Sequence, residues 1–199
     1  MRRNWLYILL LWMLPAFDKP DPVLPVSWVL LPGSSLAVNG STNINTFQCE
    51  INNYSLPDTL TCQPSQNRGQ ILQMQGKLML NIESFDCHNK MMTNDLRKTL
   101  QYKTYPHLSI RFLTLSSFPD FKNPSRITGL VDINLAGVTK RYEVAYVFSA
   151  DASQVVHLKG ERVVSFSDFN LTPPSKLGGI IRAKDELKVE FKLNMKPLG

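Results

Sequence analysis

The feature that most constrains this chain is a two-residue alternation of apolar and polar side chains near its C-terminus. From Leu187 to Lys196 every odd position is apolar, and every even position is charged or carries an amide. Successive side chains of a β-strand point to opposite faces, so this pattern predicts one long amphipathic strand. The same alternation recurs in residues 72–82, 127–135, 142–148 and 156–166. The pattern therefore predicts an all-β fold.

Shorter apolar segments near residues 26–38 and 44–51 bring the expected total to about eight strands. Connections such as the Ala136-Gly137 turn are short, which is typical of antiparallel neighbours. A closed barrel and a two-sheet sandwich both use strands with one apolar and one polar face. The alternation alone leaves these two architectures open.

One segment follows a helical period instead. Met92, Leu96 and Leu100 recur every four residues, so residues 91–102 are predicted to form an amphipathic helix. Asn89 is the expected N-cap, and Pro106 prevents the helix from continuing. A lone helix in an all-β chain can close the end of a barrel or contact a ligand there, and both interpretations remain open.

The N-terminus has the pattern of a secretory signal peptide. Two arginines precede an uninterrupted apolar run at residues 5–14, and Pro15-Ala16 offers a small residue for cleavage. A ten-residue helix is only about 15 Å long, about half the thickness of the hydrocarbon layer, so a membrane-spanning segment is not expected. We expect a signal peptide at 1–16, an extended leader at 17–25, and one domain at 26–199. The mature protein would then be periplasmic or secreted, without a stable membrane anchor.

The three cysteines of an exported chain allow one disulfide and one leftover thiol. Cys49 and Cys62 bracket a Pro-Asp turn and could face each other across a hairpin. This spacing makes Cys49–Cys62 the candidate disulfide and leaves Cys87 unpaired.

Charge and polar residues argue against several classes of function. Removing residues 1–16 takes away two arginines and no acids, so the formal net charge falls from +6 to +4. The remaining cations form no stripe of the kind that binds nucleic acid. The histidines (His88, His107 and His157) and the carboxylates are dispersed, with neither a catalytic constellation nor a metal-ligand spacing. We therefore expect no enzyme activity, no cofactor and no metal site.

Three segments, at 92–112, 127–148 and 166–193, together resemble the YceI-like family, the polyisoprenoid-binding, lipocalin-like domain of exported bacterial proteins. In the first segment the resemblance rests on Leu100, Tyr105, Pro106, Ile110 and Phe112. In the second it rests on Gly129, Val131, Ile133, Gly137, Thr139 and Lys140. In the third it rests on Asp168, Phe169, Pro173, Pro174 and Asp185.

The resemblance implies an eight-stranded antiparallel lipocalin-like barrel, with one helix near a barrel end. It also implies an apolar tunnel that holds an isoprenoid or fatty-acid-like chain, and no catalysis. The alternative is an exported β-domain with a side-chain-filled interior that acts in protein interaction or stress response. A homodimer is one assembly that the sequence leaves open. If a lipid binds, its candidate contacts are Met92, Leu96, Tyr105, Phe112, Val131, Ile133, Tyr146, Phe148 and Phe169.

Overall fold

The computed structural model describes residues 25–64 and 71–198. The expected signal peptide and all but the last residue of the expected leader lie outside these residues. The described part contains one α-helix, α1 (Lys90–Thr99), and three short 3-10 turns at Ile82–Ser84, Ser167–Phe169 and Leu177–Gly179. Its strands are β1 (Val26–Leu30), β2 (Ser34–Thr42), β3 (Thr46–Tyr54), β4 (Thr59–Pro64), β5 (Leu72–Gln75), β6 (Lys77–Asn81), β7 (His107–Phe112), β8 (Thr114–Leu115), β9 (Arg126–Leu135), β10 (Val138–Ala150), β11 (Val156–Ser165), β12 (Ser175–Lys176) and β13 (Ile181–Leu198).

All the strand pairs are antiparallel, and most strands follow the order β6-β7-β9-β10-β11-β13-β1-β4-β5-β8. The sheet curls back on itself at β8. This strand pairs with β5, and the adjoining Leu113 N and Ser116 N donate to Leu130 O and Thr128 O of β9 at 2.9 and 2.7 Å. Because the same strand bonds on both edges, the sheet forms a barrel rather than a sandwich.

The predicted all-β, lipocalin-like architecture is confirmed, although the structure has more strands than the eight expected. Two of the expected strands are divided at bends, and the structure adds β4, β8 and β12, which the alternation did not indicate. β1 and β2 are separated at Pro32-Gly33, and β5 and β6 are separated at Gly76. Gly76 has a φ of 152°, and a Cβ there would lie 2.8 Å from the carbonyl oxygen of Thr59. A larger residue would clash at this bend, which explains the glycine.

The apolar faces predicted from the alternation point into the barrel. In β13 the side chains of Leu187, Phe191, Leu193 and Met195 are buried, while the lysines between them are exposed. The same holds for β6, β10 and β11, whose apolar residues join a single core. The inner faces of the strands therefore supply most of the hydrophobic stabilisation.

Helix α1 covers one end of the barrel, where its Leu96 is buried in the core. Asn89 is its N-cap, as expected, and accepts hydrogen bonds from the backbone N–H groups of Met91 and Met92 at 3.0 and 3.1 Å. The helix ends at Thr99, three residues earlier than predicted, because the chain turns at Gln101 with a φ of 56°. Pro106 therefore lies beyond the helix end and does not cause it.

The predicted Cys49–Cys62 disulfide is wrong, because the structure bridges Cys49 to Cys87. β3 pairs with β2, whereas β4 pairs with β1 and β5, so Cys49 and Cys62 are not opposite each other across a hairpin. Residues 82–87 instead run beside β3, where Glu50 and Asp86 exchange two backbone hydrogen bonds of 2.8 and 2.9 Å. This bridge places Cys87 opposite Cys49, and the disulfide fastens the segment before α1 to the barrel.

Candidate functional site

A small cavity lies inside the barrel, directly under α1. Its volume is about 60 Å³, and all thirteen side chains that line it are apolar. They come from α1 and its C-cap, from the segment before α1, from the 3-10 turn that ends at Phe169, and from five strands. The lining consists of Leu36, Val38, Phe85, Leu96, Leu100, Leu108, Ile110, Ile133, Leu135, Val164, Phe169, Leu187 and Val189. A wall without polar groups suits an alkyl or isoprenoid chain and offers nothing to a polar ligand.

A larger groove opens beside α1 at the same end of the barrel. Its volume is about 260 Å³, and its walls are the N-terminal half of α1, the turn between β2 and β3, and the β12–β13 region. We call it the mouth groove. Most of its lining is apolar, although amides, hydroxyls and one ion pair occur at its rim. It is lined by Thr42, Ile44, Asn45, Thr46, Phe47, Cys49, Asn89, Met91, Met92, Asp95, Leu96, Phe166, Pro174, Lys176, Ile181 and Ala183.

Leu96 lines both the interior cavity and the mouth groove. Its side chain is 5% exposed and belongs to the apolar stripe of α1. Leu96 therefore separates the outer groove from the barrel interior.

An ion pair crosses the mouth groove. Lys176 Nζ of β12 lies 2.5 Å from Asp95 Oδ2 of α1. Both side chains are partly exposed, so the pair contributes little to stability in water. The ion pair links α1 to β12 on the opposite wall of the groove, and Asp95 is the residue next to Leu96.

The part of the barrel farther from α1 is filled by aromatic side chains. Tyr146 lies at the centre of this cluster, with ring centroids 6.4 Å from Phe112, 6.3 Å from Phe148 and 5.9 Å from Phe191. Its hydroxyl is buried and has no hydrogen-bond partner among the described residues. Burial raises the pKa of this phenol above its ordinary value, so the hydroxyl remains neutral.

The structure separates the nine candidate lipid contacts into three groups. Leu96, Ile133 and Phe169 line the interior cavity, and Met92 joins Leu96 in the mouth groove. Phe112, Val131, Tyr146 and Phe148 are buried in the packed core and line neither space. Tyr105 is 38% exposed and packs over Gly137 at the turn between β9 and β10, outside both spaces.

The sequence analysis missed several lining residues. Phe85, Leu108 and Ile110 line the interior cavity, and Ile44, Phe47 and Met91 line the mouth groove. The alternation of β7 and β13 could have identified Leu108, Ile110 and Leu187, because they share the parity of residues already assigned to the interior. Ile44 and Met91 carry no such signal, since one lies in a turn and the other on the exposed side of α1.

His88, His157 and Tyr142 are each held in a side-chain hydrogen bond to a neighbouring polar residue. His88 Nε2 lies 3.0 Å from Glu50, and His157 contacts Asn194 and Asp151. Tyr142 donates a 2.7 Å hydrogen bond to Asp168, which also accepts from Ser165 N. No group of three histidine, cysteine or acidic side chains able to hold a metal occurs in residues 25–64 or 71–198.

A depression of about 650 Å³ on the outer wall, near Gly160, is open and bordered by ion-paired Arg126, Glu161 and Glu190.

No protein-family model matches this sequence, and no curated protein matches it. Solved structures do resemble its fold. A polyisoprenoid-binding domain from Saccharophagus degradans, implicated in plant cell wall breakdown, aligns over 86% of this chain and 98% of its own, with 12% identity and a TM-score of 0.60. BcnA of Burkholderia cenocepacia aligns over 81% of this chain and 95% of its own, with 14% identity and a TM-score of 0.53. At such low identity these likenesses establish a shared fold.

The fold expected from the YceI-like resemblance is therefore confirmed. The chain is an antiparallel lipocalin-like barrel of the same architecture as the polyisoprenoid-binding domain, with a helix at one end. No helix among the described residues combines the length and apolar character needed to cross a membrane.

Proposed function

We propose that this protein is an exported, non-catalytic YceI-like domain that binds an isoprenoid or comparable apolar chain. The observation that carries the proposal is the meeting of two apolar spaces at Leu96, under the only described helix. The ligand's apolar chain enters the barrel from the mouth groove, past Leu96. A polar end of the ligand stays at the groove, whose lining includes the Asn45 side-chain amide and the Lys176–Asp95 ion pair.

The energetics of such binding are adequate. Burying about ten CH₂ groups at about 0.8 kcal/mol each contributes roughly 8 kcal/mol before ordering costs. After those costs the expected affinity is about micromolar or weaker. The interior cavity alone is too small for such a chain, because ligand pockets commonly measure about 300–1,000 Å³. Uptake therefore requires the displacement of Leu96 and an outward movement of α1.

One observation favours a second function. The interior cavity of about 60 Å³ leaves the barrel largely filled by its own side chains. A filled barrel would act through its outer surface, as a protein-interaction or stress-response domain. The two functions differ in whether an apolar chain can reach the barrel interior.

Substitutions at Leu96 test the proposed path. Leu96→Ala should join the groove to the cavity and raise the rate of geranylgeraniol uptake several-fold. Leu96→Trp should fill the junction and slow uptake at least tenfold. Stopped-flow uptake of a fluorescent isoprenoid alcohol, excited at a wavelength that tryptophan does not absorb, would measure both rates.

Leu158→Ala is the matched control. Leu158 is buried but lines neither space, and its truncation should cost a similar 2–5 kcal/mol of stability as Leu96→Ala. Uptake that is unchanged in both Leu96 variants relative to Leu158→Ala would contradict the path and favour the filled barrel.

Export is the second part of the proposal, and its support is the sequence pattern of residues 1–16. Fractionation of cells that express the full chain should place the protein in the periplasm or medium. Its intact mass should correspond to a chain cut near Ala16. Full-length protein in the cytoplasm would contradict export.

A further inference from the structure

Exposed apolar side chains surround the mouth groove. Ile44 is 60% exposed, Met91 63%, Leu177 71% and Ile180 72%. Ile44 and Met91 line the groove itself. Leu177 and Ile180 lie on the turn before β13, which contacts the turn carrying Ile44 because Asn43 donates to Ile180 O at 2.9 Å. Four large apolar side chains so exposed at one end of a barrel indicate an interaction surface rather than chance exposure.

Positively charged side chains lie beside this apolar rim. Lys90 lies between Asn89 and Met91 at the start of α1, and Arg182 and Lys184 flank the groove residue Ala183 on β13. All three are exposed, and none forms an ion pair within the described residues.

The acids near the rim are already engaged or lie farther along β13. Asp95 is the acid in the groove lining, and Lys176 neutralises it. Asp185 accepts hydrogen bonds from the uncharged Ser167 and keeps its negative charge, and Glu186 lies farther along β13. Four cations (Lys90, Lys176, Arg182 and Lys184) against three acids (Asp95, Asp185 and Glu186) leave a net charge of +1, so the rim combines exposed apolar side chains with a small positive charge.

We propose that this rim docks on the surface of an anionic lipid bilayer. The apolar side chains of Ile44, Met91, Leu177 and Ile180 insert at the boundary between headgroups and acyl chains. Lys90, Arg182 and Lys184 lie at the level of the lipid phosphates. A surface of this kind binds through buried apolar area together with attraction to anionic lipids. The inference rests on the proposed function, because docking presents the mouth groove to the membrane from which an apolar chain is taken.

Docking of the rim would place the opening of the mouth groove against the membrane. The groove opens between the same elements that carry the rim, namely α1, the β2–β3 turn and the β12–β13 region. When the rim is seated on a bilayer, an apolar chain can pass from the membrane into the groove without crossing water. Leu96 then remains as the last barrier before the barrel interior.

Vesicle flotation tests the docking surface with the full-length mature protein. The protein should float with vesicles of phosphatidylglycerol and phosphatidylcholine mixed 1:1, and not with phosphatidylcholine alone. Raising the salt from about 50 mM to about 500 mM should release most of it, because exposed charges are screened. Equal flotation with both vesicle types, or none with either, would overturn the proposal.

Paired variants locate the surface. The double variant Leu177→Ser and Ile180→Ser should lower the bound fraction at least fivefold, and so should Arg182→Gln with Lys184→Gln. The controls are Leu56→Ser with Phe118→Ser and Lys159→Gln with Lys192→Gln, which change exposed residues away from the groove. Circular dichroism confirms that each variant is folded. Equal losses in rim and control variants would contradict a docking site at the mouth.

The outcomes distinguish this inference from the proposed function. Flotation requires no cargo, whereas geranylgeraniol uptake from detergent solution requires no membrane. Uptake without flotation would overturn docking and leave chain binding intact. Flotation without uptake would support docking and contradict chain binding.

Discussion

Tyr146 is a buried residue whose polar atom has no partner in the described structure. A buried hydroxyl that makes no hydrogen bond loses its hydration without compensation. Tyr146→Phe removes that hydroxyl and keeps the ring in its aromatic cluster. We expect the free energy of unfolding to stay the same or to rise by up to about 1 kcal/mol. Chemical denaturation measures the change.

Tyr142→Phe is the matched comparison, because its hydroxyl donates a 2.7 Å hydrogen bond to Asp168. This variant should lose about 1 kcal/mol of stability. A comparable loss in Tyr146→Phe would show that the Tyr146 hydroxyl has a partner in solution, such as an ordered water.

Asp132 gives a pH-dependent prediction at the same scale. Arg141 donates to its carboxylate at 2.8 and 3.1 Å, and Arg111 donates at 2.7 Å. These hydrogen bonds lower the pKa of Asp132 from 3.8 to about 2, and those from Arg141 have the largest effect. A lowered pKa in the folded state stabilises the protein above about pH 4, and that contribution is lost as the pH falls from about 4 toward 2.

Asp132→Asn should therefore cost about 1 to 2 kcal/mol at pH 7, since both arginines are largely exposed and solvent weakens their attraction. The stability difference from the wild type should disappear near pH 2. Glu143→Gln, an exposed change on β10, should show no such dependence. A stability difference for Asp132→Asn that is constant between pH 2 and 7 would contradict this assignment.

Individual residues also show where sequence patterns stop being informative. Strand alternation correctly placed Tyr146, Phe148 and Leu158 inside the barrel. In residues 127–135 the alternation puts Asp132 on the face opposite Val131 and Ile133, the solvent face, yet Asp132 is buried. The guanidinium groups of Arg111 and Arg141 cover it from the neighbouring strands. Such coverage depends on strand pairing, which a two-residue period does not contain.

At the scale of elements, the disulfide and α1 form one unit. Cys49–Cys87 fastens residues 82–87 to β3, and Arg97 of α1 donates to Phe85 O in that segment at 2.8 Å. The bridge closes a loop of 38 residues. Constraining an unfolded loop of that size stabilises the folded state by about 3–4 kcal/mol.

Replacing both cysteines, as Cys49→Ala with Cys87→Ala, should lower the free energy of unfolding by about that amount. It should also increase hydrogen exchange in α1 more than in β10 and β11. Cys62→Ala is the control, because this buried thiol lies outside the bridge and burial raises its pKa to about 11. Peptide mapping that finds Cys62 in a disulfide, or a Cys62→Ala variant as unstable as the double variant, would contradict the pairing.

The elements were predictable to different degrees. A four-residue apolar period and an asparagine cap are local signals, so the N-cap of α1 was predicted correctly and its first residue within one position. Its C-terminus was not, because the left-handed turn at Gln101 lacks the glycine that usually marks such a turn. The cysteine pairing was also missed, since it depends on a long-range bridge between β3 and Asp86.

At the scale of the whole molecule, closure decides between a barrel and a sandwich. The alternation predicted which side chains are internal but allowed either architecture. Closure depends on the strand around Leu113–Leu115, which bonds to β5 on one edge and β9 on the other. The mouth groove likewise depends on three elements distant in sequence that meet at one barrel end. The alternation along single strands could not reveal either feature, because both depend on contacts between distant parts of the sequence.

The central claim is that an apolar chain occupies this barrel. Native mass spectrometry of the mature, disulfide-intact protein, incubated with geranylgeraniol and released gently from detergent, tests it most directly. We predict a one-to-one complex that survives mild activation, and a Leu96→Trp variant that forms at least tenfold less of it. Protein that remains entirely free of the isoprenoid, in wild type and variant alike, would contradict the claim and favour a barrel filled by its own side chains.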